Sequence, residues 1–153
     1  MIERTLVLVK PDGVQRGLIG DIIGRFEQRG LKIVGMKMLW IDEKFSKKHY
    51  SAHVGKKMYP LLEKFITSAP VVAMAVEGIH AVELVRKVVG STEPKTAPIG
   101  TIRGDYAHVS YDYADEKQIS VKNLVHASGN KEEADQEVGL WFSETELYEY
   151  EAS

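Results

Sequence analysis

A continuous apolar run near the N terminus, Thr5 to Val9 (TLVLV), constrains the fold more than any other feature of the sequence. A run that is rich in β-branched residues and has no polar alternation is typical of a central strand buried on both faces. The run stops at Pro11-Asp12-Gly13, where proline presets φ and glycine tolerates positive φ, so a turn is predicted there. A buried strand is therefore the first predicted element.

Strand and helix patterns alternate along the rest of the chain. After the first strand, the sequence predicts a helix on the stripe Ile19, Ile22, Ile23 and Phe26 that ends at Gly30, and then a strand with one better-buried face on which Val34, Met36, Met38 and Trp40 alternate with other residues. A helical pair between Asp42 and Thr67 and a strand at Pro70 to Val76 follow, and then a helix with the stripe Ala81, Leu84, Val85 and Val88 that ends at Gly90. The last predicted elements are a loop from Ser91 to Ile102, a short strand near Val121 to His126 and a closing helix at Glu132 to Trp141. This order predicts an α/β (α+β) fold of the ferredoxin-like βαββαβ type. Its four-stranded antiparallel sheet is expected to be covered by helices on one face.

The composition limits the classes of function. With 153 residues, 44% hydrophobic content and 27% charge, the chain is expected to form a single domain over residues 1–153. The net charge of −2 lacks the basic surface that non-specific nucleic-acid binding requires, so no nucleic-acid partner is expected. Because there is no cysteine, disulfides and thiolate metal sites are excluded. No apolar run suits a signal peptide or a membrane span, so we expect a soluble cytoplasmic protein with no membrane partner.

Three basic residues stand where they could meet an anion. Lys10 ends the first strand, so its ammonium is expected at the sheet edge, although an ordinary strand-terminal lysine fits equally well. Arg86 lies off the apolar stripe of its helix, where a solvated arginine is the commoner role. Arg103, in GTIRGD, is bracketed by glycines that allow close approach to a ligand, although a plain tight loop would use the same residues. Arginine forks match phosphate oxygens, and lysine adds a mobile point charge.

A histidine in NLVHASGN, His126, stands where an extended segment stops and the chain turns. Histidine is a competent neutral nucleophile near pH 7 and can release a phosphoryl group to a second acceptor. Two arginines and a lysine near it would describe a phosphoryl-transfer centre. The other histidines that compete with it are His49, His53, His80 and His108.

Three segments resemble the nucleoside diphosphate kinase family. They are VKPDGVQRGLIGDIIGRFEQRG at 9–30, PIGTIRGD at 98–105 and NLVHASGN at 123–130, the last being similar to the family's histidine motif NxxHxSD. The resemblance runs from Arg4 to about Tyr150. It implies transfer of the terminal phosphoryl group from a nucleoside triphosphate to a nucleoside diphosphate, by a ping-pong mechanism through a phosphohistidine and with broad base tolerance. It also implies Mg²⁺ carried on the nucleotide phosphates, with no protein metal site, and a homo-oligomer, with a hexamer favoured.

The resemblance also assigns roles to individual positions. His126 resembles the residue that is phosphorylated, Glu137 the carboxylate that orients its imidazole, and Ser128 a member of the same network. Asn123 matches the amide that binds the sugar hydroxyls, and Lys10 is expected to reach the 3′ hydroxyl as well as the phosphates. The positions that match those holding phosphates or the transferred group are Lys10, Tyr50, Arg86, Thr92 and Arg103.

The sequence departs from the family pattern in four places. Gly129 replaces the aspartate that usually follows the motif serine, and Met58 replaces the phenylalanine that stacks on the base. The segment AHVSYDYADEKQISVK makes the stretch between Arg103 and Asn123 longer than in compact members, and a projecting hairpin or loop is predicted there. The sequence given lacks the longer C-terminal tail that contributes to subunit contacts in hexameric members.

Two other classes of protein share this fold. An RNA-recognition domain has the same βαββαβ order, but it needs aromatic residues in its central strands to stack bases, and TLVLV and PVVAMAV contain none. A ligand-sensing regulatory domain would need no phosphorylated histidine. The P-loop and protein-kinase signatures are absent from the sequence.

Overall fold

The computed structural model describes residues 1–152, which form four strands and eight helices. The strands are β1 (Ile2–Val9), β2 (Lys32–Leu39), β3 (Val71–Ile79) and β4 (Val125–Ala127). The helices are α1 (Pro11–Gln15), α2 (Ile19–Gln28), α3 (Glu43–His49), α4 (Tyr59–Ile66), α5 (Ala81–Val89), α6 (Ile102–Tyr106), α7 (Tyr111–Lys117) and α8 (Lys131–Trp141), with 3₁₀ turns at Pro94–Thr96 and Glu144–Glu146. Within residues 1–152, no helix combines the length and the hydrophobicity of a transmembrane span.

The four strands form one antiparallel sheet in the order β2-β3-β1-β4. This confirms the predicted ferredoxin-like arrangement of strands. In the register of the β1 and β4 pair, Leu8 lies opposite His126 and Val9 lies opposite Val125. The C-terminal end of β1 therefore meets the N-terminal end of β4, which brings Lys10 close to the residues that precede His126.

Helices cover both faces of the sheet, so the prediction of one covered face is wrong. On one face Val7 and Val9 pack in a buried cluster with Phe26 of α2. On the other face Leu6 and Leu8 pack with residues of α4 and α8. Each fully buried aliphatic side chain contributes about 1.5–3 kcal/mol relative to exposure, so both layers stabilise the fold. The uninterrupted apolar run of β1 already required two apolar environments.

The second strand departs from the predicted alternation. Of the four residues predicted to share a face, only Val34 is buried, whereas Met36, Met38 and Trp40 are 57%, 57% and 65% exposed. The register with β3 shifts between Ile33 and Gly35, which marks a β-bulge. An extra residue at a bulge exchanges the faces of the side chains that follow.

The long segment before β4 is helical, so the prediction of a hairpin or loop there is wrong. Ser110 caps α7, its hydroxyl oxygen accepting from the Tyr113 amide at 3.0 Å. The helix ends at Gln118, which adopts the left-handed conformation with φ 55°. The first turn signal of the chain is also helical, because the predicted turn at Pro11-Asp12-Gly13 forms the start of α1.

Candidate active site

His126 occupies the middle of β4, and α8 returns beneath it. Glu137 of α8 places Oε1 2.8 Å from His126 Nε2. The Ser128 hydroxyl donates to the same carboxylate oxygen at 2.7 Å. Asn130 caps α8 by accepting from the Glu133 amide at 2.9 Å, so the turn after β4 and the start of the helix are both fixed.

The charge on Glu137 determines the tautomer of His126. Burial opposes ionisation of Glu137, but hydrogen bonds from His126 and Ser128 outweigh it and hold the pKa of this carboxyl below its usual range. An ionised carboxylate can only accept hydrogen bonds, so in the neutral imidazole the proton lies on Nε2. The lone pair of His126 is therefore on Nδ1, which is the nucleophilic atom.

A second histidine, to which no sequence motif assigns a role, packs against the first. The His49 ring lies edge-on to the His126 ring, with centroids 4.7 Å apart and planes at 82°. Trp141 donates its indole N–H to His49 Nδ1 at 3.0 Å. Burial, assisted by His126, lowers the pKa of His49 to about 3, so this ring stays neutral. No motif in the sequence distinguishes His49, because its role depends on α3 packing beside α8.

The entry to β4 contains a strained residue. Leu124 has φ 72°, a conformation that costs a non-glycine residue about 1–3 kcal/mol. Its amide donates to Asp12 Oδ2 at 3.1 Å, and its carbonyl accepts from the Lys10 amide at 2.8 Å. This turn explains why β4 begins at Val125, four residues later than predicted. Asp12 is thus a positioning residue, whereas the sequence indicates only a turn at this position.

Lys10 and Asn123 meet at the end of the sheet. The Lys10 ammonium donates to Asn123 Oδ1 at 2.9 Å, and Asn123 Nδ2 donates to the Thr92 carbonyl at 3.0 Å. Burial lowers the pKa of Lys10 to about 8, with a further contribution from Arg103. Lys10 is therefore mostly cationic at pH 7 but lies close to its titration range.

Arg103 is buried, and each of its three nitrogens bonds to a backbone carbonyl. Nε donates to Asn123 at 3.1 Å, Nη1 to Gly90 at 3.0 Å and Nη2 to Val125 at 2.7 Å. Burial, and then Arg86, lowers the pKa of Arg103 to about 10, so it keeps its charge at pH 7. A guanidinium has five N–H groups, so Nη1 and Nη2 each keep one more for a ligand.

A carboxylate of α8 lies against the loop after β4, where the motif has glycine. The Gly129 amide donates to Glu133 Oε2 at 2.9 Å. A β-carbon at Gly129 would lie 2.7 Å from that same oxygen. Glu133, in the first turn of α8, thus supplies an acidic group beside the position where the family motif usually has aspartate.

One cavity of about 400 Å³ brings most of the predicted residues together. The predicted site residues that line it are Lys10, Tyr50, Met58, Thr92, Asn123 and His126. Leu61 and Leu62 give it an apolar wall beside Met58, which is 48% exposed. Tyr50 is buried, and its hydroxyl has no hydrogen-bond partner among residues 1–152.

The remaining predicted residues lie outside that cavity wall. Arg103 and Glu137 sit behind it and bond to the lining residues Asn123 and His126, and Ser128 bonds to Glu137. Arg86 donates to the Ala127 carbonyl at 3.2 Å and lines a neighbouring surface cavity that also contains Gly129.

Comparison with known proteins gives one consistent result. The family model described as nucleoside diphosphate kinase matches residues 3–147. The chain is 55% identical over 149 residues to the nucleoside diphosphate kinase of Pyrococcus furiosus, which covers 97% of this chain and 88% of that protein. Relatives have also been solved as structures. The Borrelia burgdorferi nucleoside diphosphate kinase, a transition-state mimic with bound vanadate and ADP, has a TM-score of 0.95 and 46% identity and covers 99% of this chain and 93% of that one.

A second solved structure agrees with the first. The nucleoside diphosphate kinase of Halobacterium salinarum, in complex with CDP, has a TM-score of 0.87 at 44% identity and covers 99% of this chain and 95% of that one. The family match, the identity and the coverage all extend over nearly the whole of this sequence. This chain belongs to the nucleoside diphosphate kinase family.

Proposed function

We propose that this chain transfers the terminal phosphoryl group of a nucleoside triphosphate to a nucleoside diphosphate through a phosphohistidine at His126. The observation that carries the proposal is the pairing of His126 Nε2 with Glu137, 2.8 Å apart, beside a cavity lined by Lys10 and Asn123. This pairing leaves a nucleophilic Nδ1 next to groups that suit phosphates.

The reaction has two half-steps that mirror each other. Nδ1 of His126 attacks the γ-phosphorus, an N–P bond forms, and the bond from phosphorus to the bridging oxygen breaks. The nucleoside diphosphate leaves with that oxygen. The hydrogen bond to Glu137 holds the proton on His126 Nε2 throughout, so no proton has to leave the imidazole. The β-phosphate oxygen of an acceptor diphosphate then attacks the phosphoryl group and restores the free histidine.

Positive charge around His126 stabilises the transferred group. Phosphoryl transfer has a loose transition state, so catalysis depends mainly on positioning and on neutralising the equatorial oxygens. Lys10 supplies a buried ammonium, and Arg103 supplies its two remaining N–H groups. Two further residues complete the proposed phosphate contacts. Arg86 donates to the carbonyl of Ala127, next to His126, and Thr92 lies in the cavity wall.

The rest of the cavity suits a nucleoside. Asn123 and Lys10 would hold the sugar hydroxyls, and the unpaired Tyr50 hydroxyl offers a donor to the phosphates. Met58 would cover one face of the base, and contact with a face favours no particular base. Solved structures of relatives with ADP and with CDP support this tolerance, because the two nucleotides differ in their base.

Mg²⁺ is proposed to arrive on the nucleotide phosphates. Among residues 1–152, the single group with metal-ligand spacing is His49, His126 and Glu137, whose candidate ligand atoms lie within 4.8 Å of one another. Mg²⁺ prefers oxygen ligands in an octahedron, and this nitrogen-rich set suits it poorly. A bound Mg²⁺ would offset part of the negative charge of the phosphates beside Lys10 and His126.

The alternative classes gain no support from the fold. An RNA-recognition domain stacks bases on an open sheet face, but helices cover both faces here. A ligand-sensing domain would not require an ionised Glu137 paired with His126.

Initial-rate kinetics test the proposed function. Turnover of MgATP with dTDP, measured at several fixed concentrations of each, should give parallel double-reciprocal lines, and free ATP should react far more slowly than MgATP. Intersecting lines would show that both nucleotides bind together, which contradicts a phosphoenzyme route.

We also propose a cytoplasmic homo-oligomer of single-domain chains over residues 1–153, with a hexamer favoured. The edge strand β2 exposes Met36 and Met38, and Trp40 follows it. An exposed apolar sheet edge is a common site for contact between copies. Light scattering coupled to gel filtration measures the assembly, and a monomer at working concentration would contradict it.

A further inference from the structure

The extra helix α7 forms part of the cavity wall. Tyr111, Ala114 and Asp115 line the cavity, and their spacing of three and four residues puts them on one face of the helix. Ala114, in the middle of this face, is 1% exposed. The face therefore turns toward the protein, with Tyr111 and Asp115 on either side of its buried centre.

Contacts with the loop that carries Thr92 hold α7 in place. The Tyr111 amide donates to Glu93 Oε2 at 3.0 Å, and the Lys95 amide donates to the Val109 carbonyl at 3.1 Å. These two bonds attach the start of α7, from Val109 to Tyr111, to the loop that contains Glu93 and Lys95. The helix is thus a fixed part of the nucleotide cavity.

Asp115 is the only carboxylate among the residues that line this cavity. Its carboxylate oxygens make no hydrogen bond or ion pair with any part of the chain between residues 1 and 152. The phosphates of a nucleotide belong near Lys10 and His126, and a carboxylate repels them. Asp115 therefore faces the uncharged nucleoside. Because the sugar is proposed to bond to Asn123 and Lys10, the group left to face Asp115 is the base.

We propose that Asp115 gives the enzyme a preference for guanine nucleotides within its broad tolerance, an inference that rests on the proposed function. A carboxylate presents two acceptor oxygens. Guanine alone among the common bases has two adjacent donors, N1–H and the 2-amino group, on one edge. Adenine and cytosine place an acceptor nitrogen beside their amino group, and uracil places its N–H between two carbonyls. Because Asp115 is exposed, water competes for these bonds and the preference is modest.

The test uses GDP and inosine diphosphate as acceptors, because inosine differs from guanosine only by lacking the 2-amino group. For the natural chain, kcat/KM should favour GDP by roughly 3- to 10-fold, the range expected for one charge-assisted but solvated hydrogen bond. Asp115→Ala should bring the ratio close to one. The matched control is Asp112→Ala, which removes the same charge from the same exposed helix at a position outside the cavity wall.

Three outcomes overturn the inference: a ratio near one in the natural chain, a ratio that persists in Asp115→Ala, or an equal loss in Asp112→Ala. Circular dichroism checks that α7 survives in both variants. Failure of the proposed function looks different, because then no acceptor is phosphorylated at all. In that case the affinities of GDP and inosine diphosphate, measured by calorimetry on the same three proteins, still decide whether Asp115 contacts the 2-amino group.

Discussion

Glu137 Oε1 lies 2.8 Å from His126 Nε2 and accepts a second hydrogen bond, at 2.7 Å, from the hydroxyl of Ser128. The two donors together hold the carboxylate ionised and fix the plane of the imidazole. A nucleophile whose lone pair is already directed at its target loses little entropy when the phosphate arrives.

Glu137→Gln should therefore lower kcat by roughly 10- to 100-fold with little change in ADP affinity, as is typical when a group that orients a functional imidazole is lost. Glutamine has the same size but no charge to hold the Nε2 proton. The matched control is Glu132→Gln, an exposed residue of the same helix. Unchanged turnover in Glu137→Gln would make Glu137 an ordinary helix residue.

Nucleotide affinity should fall as pH rises through 8. The pKa of Lys10 in the folded protein is about 8, below its usual value, mainly because of burial. The protonated form binds phosphate, so raising the pH from 7 to 9 should weaken ADP binding by roughly 10-fold as the protonated fraction falls. In Lys10→Met, affinity should be lower at pH 7 and nearly flat over this range. If the Lys10→Met variant kept the full pH dependence, the titrating group would have to lie elsewhere.

The stability of the protein should fall in mild acid because of His49. Its pKa is about 3 in the folded state, mainly because of burial, against about 6.5 in the unfolded chain. As pH falls, His49 thus takes up a proton in the unfolded state before it does so in the folded state. The stability contribution is complete above pH 6.5 and is lost as pH falls toward 3, at up to about 1.4 kcal/mol per pH unit.

Urea unfolding at pH 7 and pH 5 measures this loss. His49→Gln removes the titrating group while keeping an acceptor for Trp141, so the difference between the two pH values should shrink by about 1–2 kcal/mol. His108→Gln changes an exposed histidine and should leave the difference unaltered. Equal behaviour of the two variants would contradict the neutral, buried state of His49.

Met58→Phe should tighten ADP binding by about 1 kcal/mol, or roughly 5-fold, because an aromatic ring stacks on a base better than a thioether does. Purines should gain more than pyrimidines. Met58 is 48% exposed and lines the cavity, so a larger ring has room and the melting temperature should hold. Val54→Phe, a similarly exposed position outside the cavity, controls for added surface area. Lower stability with unchanged affinity would identify Met58 as a packing residue.

The features that could be predicted from the sequence depend on local patterns. The apolar run of β1 and the apolar stripe of α2 predict the burial of both elements, because the pattern lies in residues close together along the chain. The face of β2 was predicted incorrectly because the bulge near Val34 leaves no mark in the alternation. The helix α7 was missed because its residues carry little apolar periodicity, and its position depends on Glu93 and the loop around it.

The site residues also divide into those that local motifs predict and those whose roles depend on tertiary packing. His126 and Glu137 lie in segments that resemble known motifs, eleven residues apart along the chain. His49 and Asp12 could not be found in this way, since each acts on a partner that is more than 70 residues distant in the sequence. Their roles follow from the packing of α3 against α8 and from the antiparallel register of β1 and β4.

Transfer of label from γ-³²P-labelled MgATP to the protein, with no second substrate present, tests the proposed phosphohistidine most directly. A phosphohistidine at His126 predicts one acid-labile, base-stable phosphoryl group per chain, mapped to His126 by mass spectrometry, which passes completely to added GDP. His126→Ala should take up no label, while His49→Gln should still do so. Labelling that survives in His126→Ala, or that does not pass to GDP, would exclude His126 as the phosphoryl carrier.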